Sequence, residues 1–210
     1  MTARGPLPET IPIFPLEGAL LLPGGKLPLR IFEPRYLEMT DDALATYRLI
    51  GMVQPAASGA GKPSLYSVGC VGRLSSWSET DENRYAIVLT GVCRFRLREE
   101  VAAPRLYRMI HADYTGFMSD MDADEGTADI DRTRLAAGVK QFFGRNHKED
   151  LWATISELPA DLLVNSLAMV CPFAPAEKQA LLEAPTVTDR ARLLLALIEM
   201  HVAGSEGTLQ

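Results

Sequence analysis

Ile11-Pro12-Ile13-Phe14-Pro15-Leu16-Glu17, then Ala19-Leu20-Leu21-Leu22-Pro23-Gly24-Gly25, then Lys26-Leu27-Pro28-Leu29-Arg30-Ile31-Phe32-Glu33-Pro34-Arg35-Tyr36, is the stretch on which the fold of this chain turns. It reads as two extended segments joined by a tight Pro23-Gly24-Gly25 turn, with Pro34 opening a helix directly afterwards. Each proline removes a backbone donor and fixes φ, so Pro12, Pro15 and Pro28 suit edge or irregular strands better than a central ladder. The helix that follows carries Tyr36, Met39, Ala43 and Leu44 on or near one face, widened by Leu37 and Thr40. Arg48–Val53 returns as a strand, and Gln54–Pro63, rich in Ala, Gly, Ser and Pro, reads as a surface loop.

Further out the pattern is a meander. Leu65–Leu74 holds Gly69 and Gly72, whose missing side chains permit a bulge or close strand approach. Ser75–Asn83 reads as a polar connection and Arg84–Leu89 as a strand. Val92–Leu97 alternates, with Cys93, Phe95 and Leu97 predicted to face a core and Arg94, Arg96 and Arg98 to face away. With Leu106–Tyr114 this makes about six strands, a twisted barrel-like or sandwich-like sheet over residues 1–115. Between Asp113 and Asp131 there are seven acidic residues and no basic one, so residues 116–130 are predicted to be a solvated acidic linker. Residues 131–203 then read as a helical bundle. Its helices are predicted over Asp131–Phe143, Asp161–Val170, Pro175–Glu183 and Asp189–Met200, the last capped by Thr188, with residues 204–210 fraying. The fold class is α+β, strands first and helices second.

Composition narrows the function classes. The chain has 210 residues, 47% hydrophobic and 23% charged, enough for a sizeable core, and its 27 acidic against 21 basic side chains give a formal charge of −6. That balance argues against broad nucleic-acid or anionic-membrane binding. Cys70, Cys93 and Cys171 are an odd, widely spaced set that fits a reducing compartment, and the N-terminus lacks the apolar core of a signal peptide. No window is long and apolar enough to span a bilayer. The expected location is the cytoplasm.

The opening stretch also carries a resemblance. Ile13-Phe14-Pro15-Leu16, Leu20-Leu21-Leu22-Pro23-Gly24 and Leu27-Pro28-Leu29-Arg30-Ile31-Phe32-Glu33-Pro34-Arg35-Tyr36 closely resemble the signature of the N-terminal, substrate-binding domain of Lon proteases. Gly69, Gly72 and Gly91 with Arg94-Phe95 are similar to that family's strand pattern. Pro159, Leu162–Ala168, Lys178–Glu183 and Arg192-Leu193 are similar to its helical part, so the resemblance runs from about Leu7 to Met200. It implies a PUA-like sheet subdomain followed by a helical bundle, and binding of unfolded polypeptide segments or a protein partner. Ten residues follow Met200, so neither the ATPase nor the Ser-Lys protease module of full-length Lon is expected here, and the expected role is non-enzymatic.

Motif chemistry adds little to this. Gly61-Lys62 is followed by Pro63 and lacks the first glycine of a phosphate loop, and there is no Gly-x-Ser-x-Gly elbow. No cofactor is expected. His111, His147 and His201 form no local pair, so metal binding is not predicted; a rival reading places a hydrolase site between the subdomains with His111 or His147 and a carboxylate. Asp120, Asp122, Asp124 and Asp131 have part of a calcium-loop spacing, with glycine one place late at Gly126. Arg94, Arg96 and Arg98 are a candidate basic surface, and a PUA-like fold makes RNA the third reading, although no aromatic residues alternate with them. Trp77 and Trp152 fall outside the regular core patterns and are the candidate peptide-binding residues, with the crevice between the subdomains as their expected setting.

Overall fold

The computed structural model describes residues 6–57, 63–80, 84–122, 130–143 and 157–206. They divide into two compact units, Met1–Asp122 and Ala123–Gln210.

In the first unit, strand β1 (Thr10–Pro15) leads through the buried Leu20, Leu21 and Leu22 to β2 (Lys26–Ile31). The connection ends in a turn closed by Gly25 N–H donating to the Leu22 carbonyl at 3.0 Å, with Gly24 at φ 74°. Proline second and a left-handed glycine third is what a type II turn requires. Helix α1 (Pro34–Ala45) starts at the predicted proline and buries Tyr36, Met39, Thr40 and Ala43; the Tyr36 ring stacks on Phe14 at 4.0 Å. Strands β3 (Leu49–Val53), β4 (Pro55–Ala57), β5 (Ser64–Leu65), β6 (Val68–Thr80), β7 (Arg84–Val101) and β8 (Arg108–Asp113) follow, and then a 3-10 helix, Thr115–Met121.

The main sheet runs β2-β7-β6-β3-β1-β8, and a further pairing of β7 with β8 closes β7, β6, β3, β1 and β8 into a ring. Closure removes free edges from those five strands. The 18-residue β7 makes it possible: Tyr85–Thr90 pair with β2, whereas Arg96–Val101 pair with β8. β1 and β3 are parallel, and the crossover such a pair needs is supplied by β2 and α1.

The prolines fit this ladder. Pro12 pairs with β8 at a position β3 does not reach, and Pro15 pairs with β3 beyond the end of β8. Pro28 lies on β2, the edge strand. Each missing donor therefore falls where one neighbour is absent.

Two expectations change. Ser75–Asn83 is not a connection: β6 continues to Thr80, paired with β7 through Thr80↔Arg84. A bulge between Leu74 and Ser76 breaks the alternation, and the exposed face is Ser-rich, which together hide the strand signal. Within Gln54–Pro63, Pro55–Ala57 pair with Ser64–Leu65 as a small two-stranded sheet.

The barrel interior is filled by Ile11, Ile13, Leu49, Val53, Val71, Cys93, Phe95 and Ile110. Cys93 and Phe95 face inward as the alternation predicts, both fully buried.

The described part of the second unit holds helices α2 (Arg132–Phe143), α3 (Ala160–Val170), α4 (Pro175–Glu183) and α5 (Val187–Glu206), with α5 packed against the other three. α5 starts earlier than predicted, because the cap is Thr186: its Oγ1 accepts the Asp189 N–H at 3.0 Å. It also runs on through Glu206, into the segment 204–210 expected to fray. Arg190 is buried on α5 and donates to the Leu181 carbonyl (2.8 Å), the Ala184 carbonyl (3.4 Å) and Asn165 Oδ1 (2.9 Å). The first two are carbonyls at the end of α4, which a cation satisfies well. Among the described residues no helix is long and apolar enough to cross a membrane.

Candidate functional site

Helix α1 ends in a sharp reversal at Thr46-Tyr47-Arg48. Arg48 takes φ 57°, and its N–H reaches the Ala43 carbonyl at 2.9 Å. A left-handed arginine is a costly way to cap a helix. Its guanidinium lies over the Trp77 ring, 4.7 Å from the centroid, and its carbonyl accepts the Leu74 N–H at 2.8 Å. Those contacts hold the reversal, and the reversal turns Tyr47 outward, 65% exposed.

Beside Tyr47 opens a groove of about 240 Å³. Its apolar lining includes Ile11, Pro12, Ala43, Leu49 and Met109, and its polar lining includes Thr10, Thr46, Asp42 and Arg105. The loop after β7 is clamped to α1 along one wall: Tyr107 Oη donates to Asp42 Oδ2 at 2.7 Å, Arg105 pairs with Asp42 at 2.9 Å, and the Leu106 N–H donates to Glu38 at 3.3 Å. Burial, and then the bond to Asp42, push the Tyr107 phenol up to about 12, so it stays a neutral donor. Leu106, held on that loop, is 66% exposed. The volume falls below the roughly 300 Å³ at which drug-sized ligand pockets begin.

Trp77 is on β6, cross-strand from Ile87, 43% exposed, with one face under Arg48. Trp152 lies outside the described residues. The three arginines do not form one basic surface. Arg94 is buried: its N–H, Nε and Nη2 donate to the Asp120 carboxylate at 2.9, 2.8 and 2.8 Å, and its guanidinium lies 4.8 Å from the Phe117 centroid. The reason is the 3-10 helix, which covers β7 beyond the end of β8. Asp120 accepts a main-chain donor there from a β7 position that neither β2 nor β8 pairs. Arg96 and Arg98 are exposed, and Arg98 pairs with Asp113.

Residues 115–121 are thus an ordered part of the β-rich unit rather than solvated linker. Asp120, committed to Arg94, is unsuited to the calcium-loop spacing. Among the described residues no three His, Cys, Asp or Glu side chains gather at a metal-sized site. His111 on β8 lies with Nδ1 3.2 Å from Thr10 Oγ1, and His201 sits against Phe142 and Phe173 in the helical unit. His147 lies outside the described residues. Cys70, Cys93 and Cys171 are buried and unpaired with one another.

The groove was missed by pattern reasoning because it is assembled from β1, α1, β8 and a loop. The available signal was Tyr47, a large residue outside any predicted strand or helix; Leu106 falls at the head of the predicted strand Leu106–Tyr114, whereas β8 begins at Arg108.

A closed sheet barrel carrying an open groove, followed by a unit of packed helices, defines a two-unit α+β module. The chain belongs to the family of the ATP-dependent protease La (LON) substrate-binding domain, whose model matches residues 10–200. Lon protease 2 of Sorangium cellulosum is 28% identical over 206 residues, which cover 94% of this chain and 25% of that protein. Lon protease 2 of Myxococcus xanthus is 29% identical over 203 residues, 91% of this chain and 24% of that one. The chain therefore spans about a quarter of the length of these curated relatives. The N-terminal domain of Mycobacterium avium complex Lon protease shares the fold, with TM-score 0.64 at 18% identity over 91% of this chain and 99% of that one. So does a Lon N-terminal domain protein from Xanthomonas campestris, with TM-score 0.59 at 21% identity over 89% and 97%.

Proposed function

We propose that this chain is a non-catalytic polypeptide-binding domain that takes up exposed apolar side chains of unfolded segments, or of a protein partner, in the groove beside Tyr47. The observation that carries this is the match of residues 10–200 to a substrate-binding domain family. The groove supports the reading: it has an apolar lining for a side chain, exposed Tyr47 in its wall, exposed Leu106 between the lining residues Arg105 and Tyr107, and hydroxyls and charged groups for the peptide backbone. Trp77, next to Arg48, extends the aromatic surface, and Trp152 remains a second candidate contact. Aromatic residues offer large contact area with little side-chain entropy to lose. Three buried free thiols are consistent with a reducing compartment such as the cytoplasm.

The test is a titration of unfolded polypeptide into the purified chain, read by tryptophan emission and calorimetry. Saturable binding that weakens about tenfold or more in a Tyr47→Ser/Leu106→Ser variant, a size typical of losing hot-spot contacts, is the expected result. Absence of saturable binding at tens of micromolar across varied unfolded substrates sinks the proposal.

A further inference from the structure

Beyond the barrel, β2, β7 and β6 form a three-stranded extension, and its register sorts the side chains. Leu29, Ile87 and Trp77 share one cross-strand row, and Tyr85 on the same face donates to Asp41 of α1. The opposite face carries Lys26, Thr90 and Arg73 in one row, then Pro28, Val88 and Ser76, then Arg30, Ala86 and Ser78.

Lys26, Arg30 and Arg73 are exposed. Among the described residues none of them has a carboxylate within ion-pair distance, and Arg73 has one weak bond, Nη1 to the Tyr47 carbonyl at 3.5 Å. No Asp or Glu occupies those three rows. Strand geometry puts Lys26 about 13 Å from Arg30 along β2 and about 10 Å from Arg73 across the sheet. Between the three cations lies a floor of short side chains. Three unpaired cations on a flat face stand out in a chain of formal charge −6.

From this we infer that the outer face of β2, β7 and β6 binds an acidic, extended polypeptide segment, at a surface separate from the groove. An extended chain places carboxylates four residues apart at about 13 Å, the span from Lys26 to Arg30. The short floor lets its backbone lie close, and the opposite charge steers it there. Recognition is through side chains, because Pro28 at the middle of the edge strand has no N–H to donate to an added strand. A nucleic acid fits less well: three cations are few for a phosphate backbone, and no aromatic side chain stands among those rows to stack on bases.

The probes are a fluorescein-labelled peptide of alternating Glu and Ser, its Gln-for-Glu counterpart, and oligo-dT, followed by anisotropy with the full chain. The Glu peptide is expected to bind and to weaken severalfold between about 50 and about 300 mM salt. A Lys26→Ala/Arg30→Ala variant should lose severalfold in affinity, and a triple variant adding Arg73→Ala about tenfold, the modest loss that exposed ion pairs give. Their urea midpoints should stay unchanged. Tyr47→Ser/Leu106→Ser should leave Glu-peptide binding intact, so failure here and failure of the groove are told apart. Equal affinity for the Gln peptide, no loss in the folded double and triple variants, or tighter binding of oligo-dT would overturn the inference.

Discussion

The ring of Phe95 occupies the space in which residue 69 would carry a side chain. A Cβ built on Gly69 falls 2.5 Å from Phe95 Cζ and 2.5 Å from the Met52 carbonyl oxygen, and one built on Gly51 falls 3.1 Å from Phe95 Cε1. The barrel closes around one aromatic ring because two strands facing it have no side chain at that level. Gly69→Ala is therefore expected to destabilise the chain by about 3 kcal/mol, the upper end for overpacking, since a carbonyl cannot rotate away. Gly116→Ala, with nothing within 4 Å of its Cβ, is the control and should shift stability by less than about 0.5 kcal/mol. Urea denaturation of both variants measures this.

Arg94 and Asp120 are buried partners, 4% and 9% exposed. Removing one leaves the other charged and dry, so Asp120→Ala should cost about 3–5 kcal/mol, and Arg94→Met/Asp120→Leu should recover much of it. A double-mutant cycle by chemical denaturation decides the point. If Asp120→Ala is neutral, the 3-10 helix does not anchor to β7 as described.

Asp113 holds the start of that helix. The Thr115 N–H donates to Oδ1 at 2.9 Å and Arg98 pairs with Oδ2. The Thr115 bonds first, and then Arg98, lower its carboxyl from 3.8 to about 2. A depressed carboxylate contributes stability that is present above its unfolded value and lost as pH falls through its folded one. The stability difference between the natural chain and Asp113→Asn should thus be constant above about pH 5 and shrink toward zero between about pH 4 and pH 2. Urea midpoints measured against pH for both proteins test this; a gap that persists at pH 2 contradicts it.

The thiols should be silent in the folded chain. Burial, with Asp120 adding to it, pushes Cys93 up to about 12 and raises Cys70 further. Cys171 is fully buried. A chromogenic disulfide reagent at about pH 8 should titrate none of the three thiols natively and all three in denaturant. Fast native reaction at any of them would contradict the packing.

The predicted turn, the proline-started helix and the inward set Cys93 and Phe95 were legible because each depends on local chemistry. Pro23-Gly24 sets a type II turn by φ alone, and Pro34 suits a first helical turn for the same reason. Alternation identified the Val92–Leu97 part of β7 because one of its faces is dry, whereas Thr90-Gly91 read as a break between two strands that β7 runs through. β6 beyond Leu74 was not legible, since a bulge at Ser75 and a solvated Ser-rich face removed the period that a strand shows when half-buried.

Sequence alone determined the family and the order of strands before helices, and it limited Gly69 to a bulge or a close strand approach, because these rest on residue types and short-range conformational limits. Tertiary structure alone decided that Arg94 is buried while Arg96 is exposed. The two have the same parity on the same strand, and only the return of the 3-10 helix, with Asp120 offered to the β7 edge, separates them. It also decided that Lys26, Arg30 and Arg73, distant in sequence, share one face, and that Tyr47 and Tyr107 line one groove. Charge and shape at a surface depend on which segments meet there, and that is set by strand register rather than by spacing along the chain.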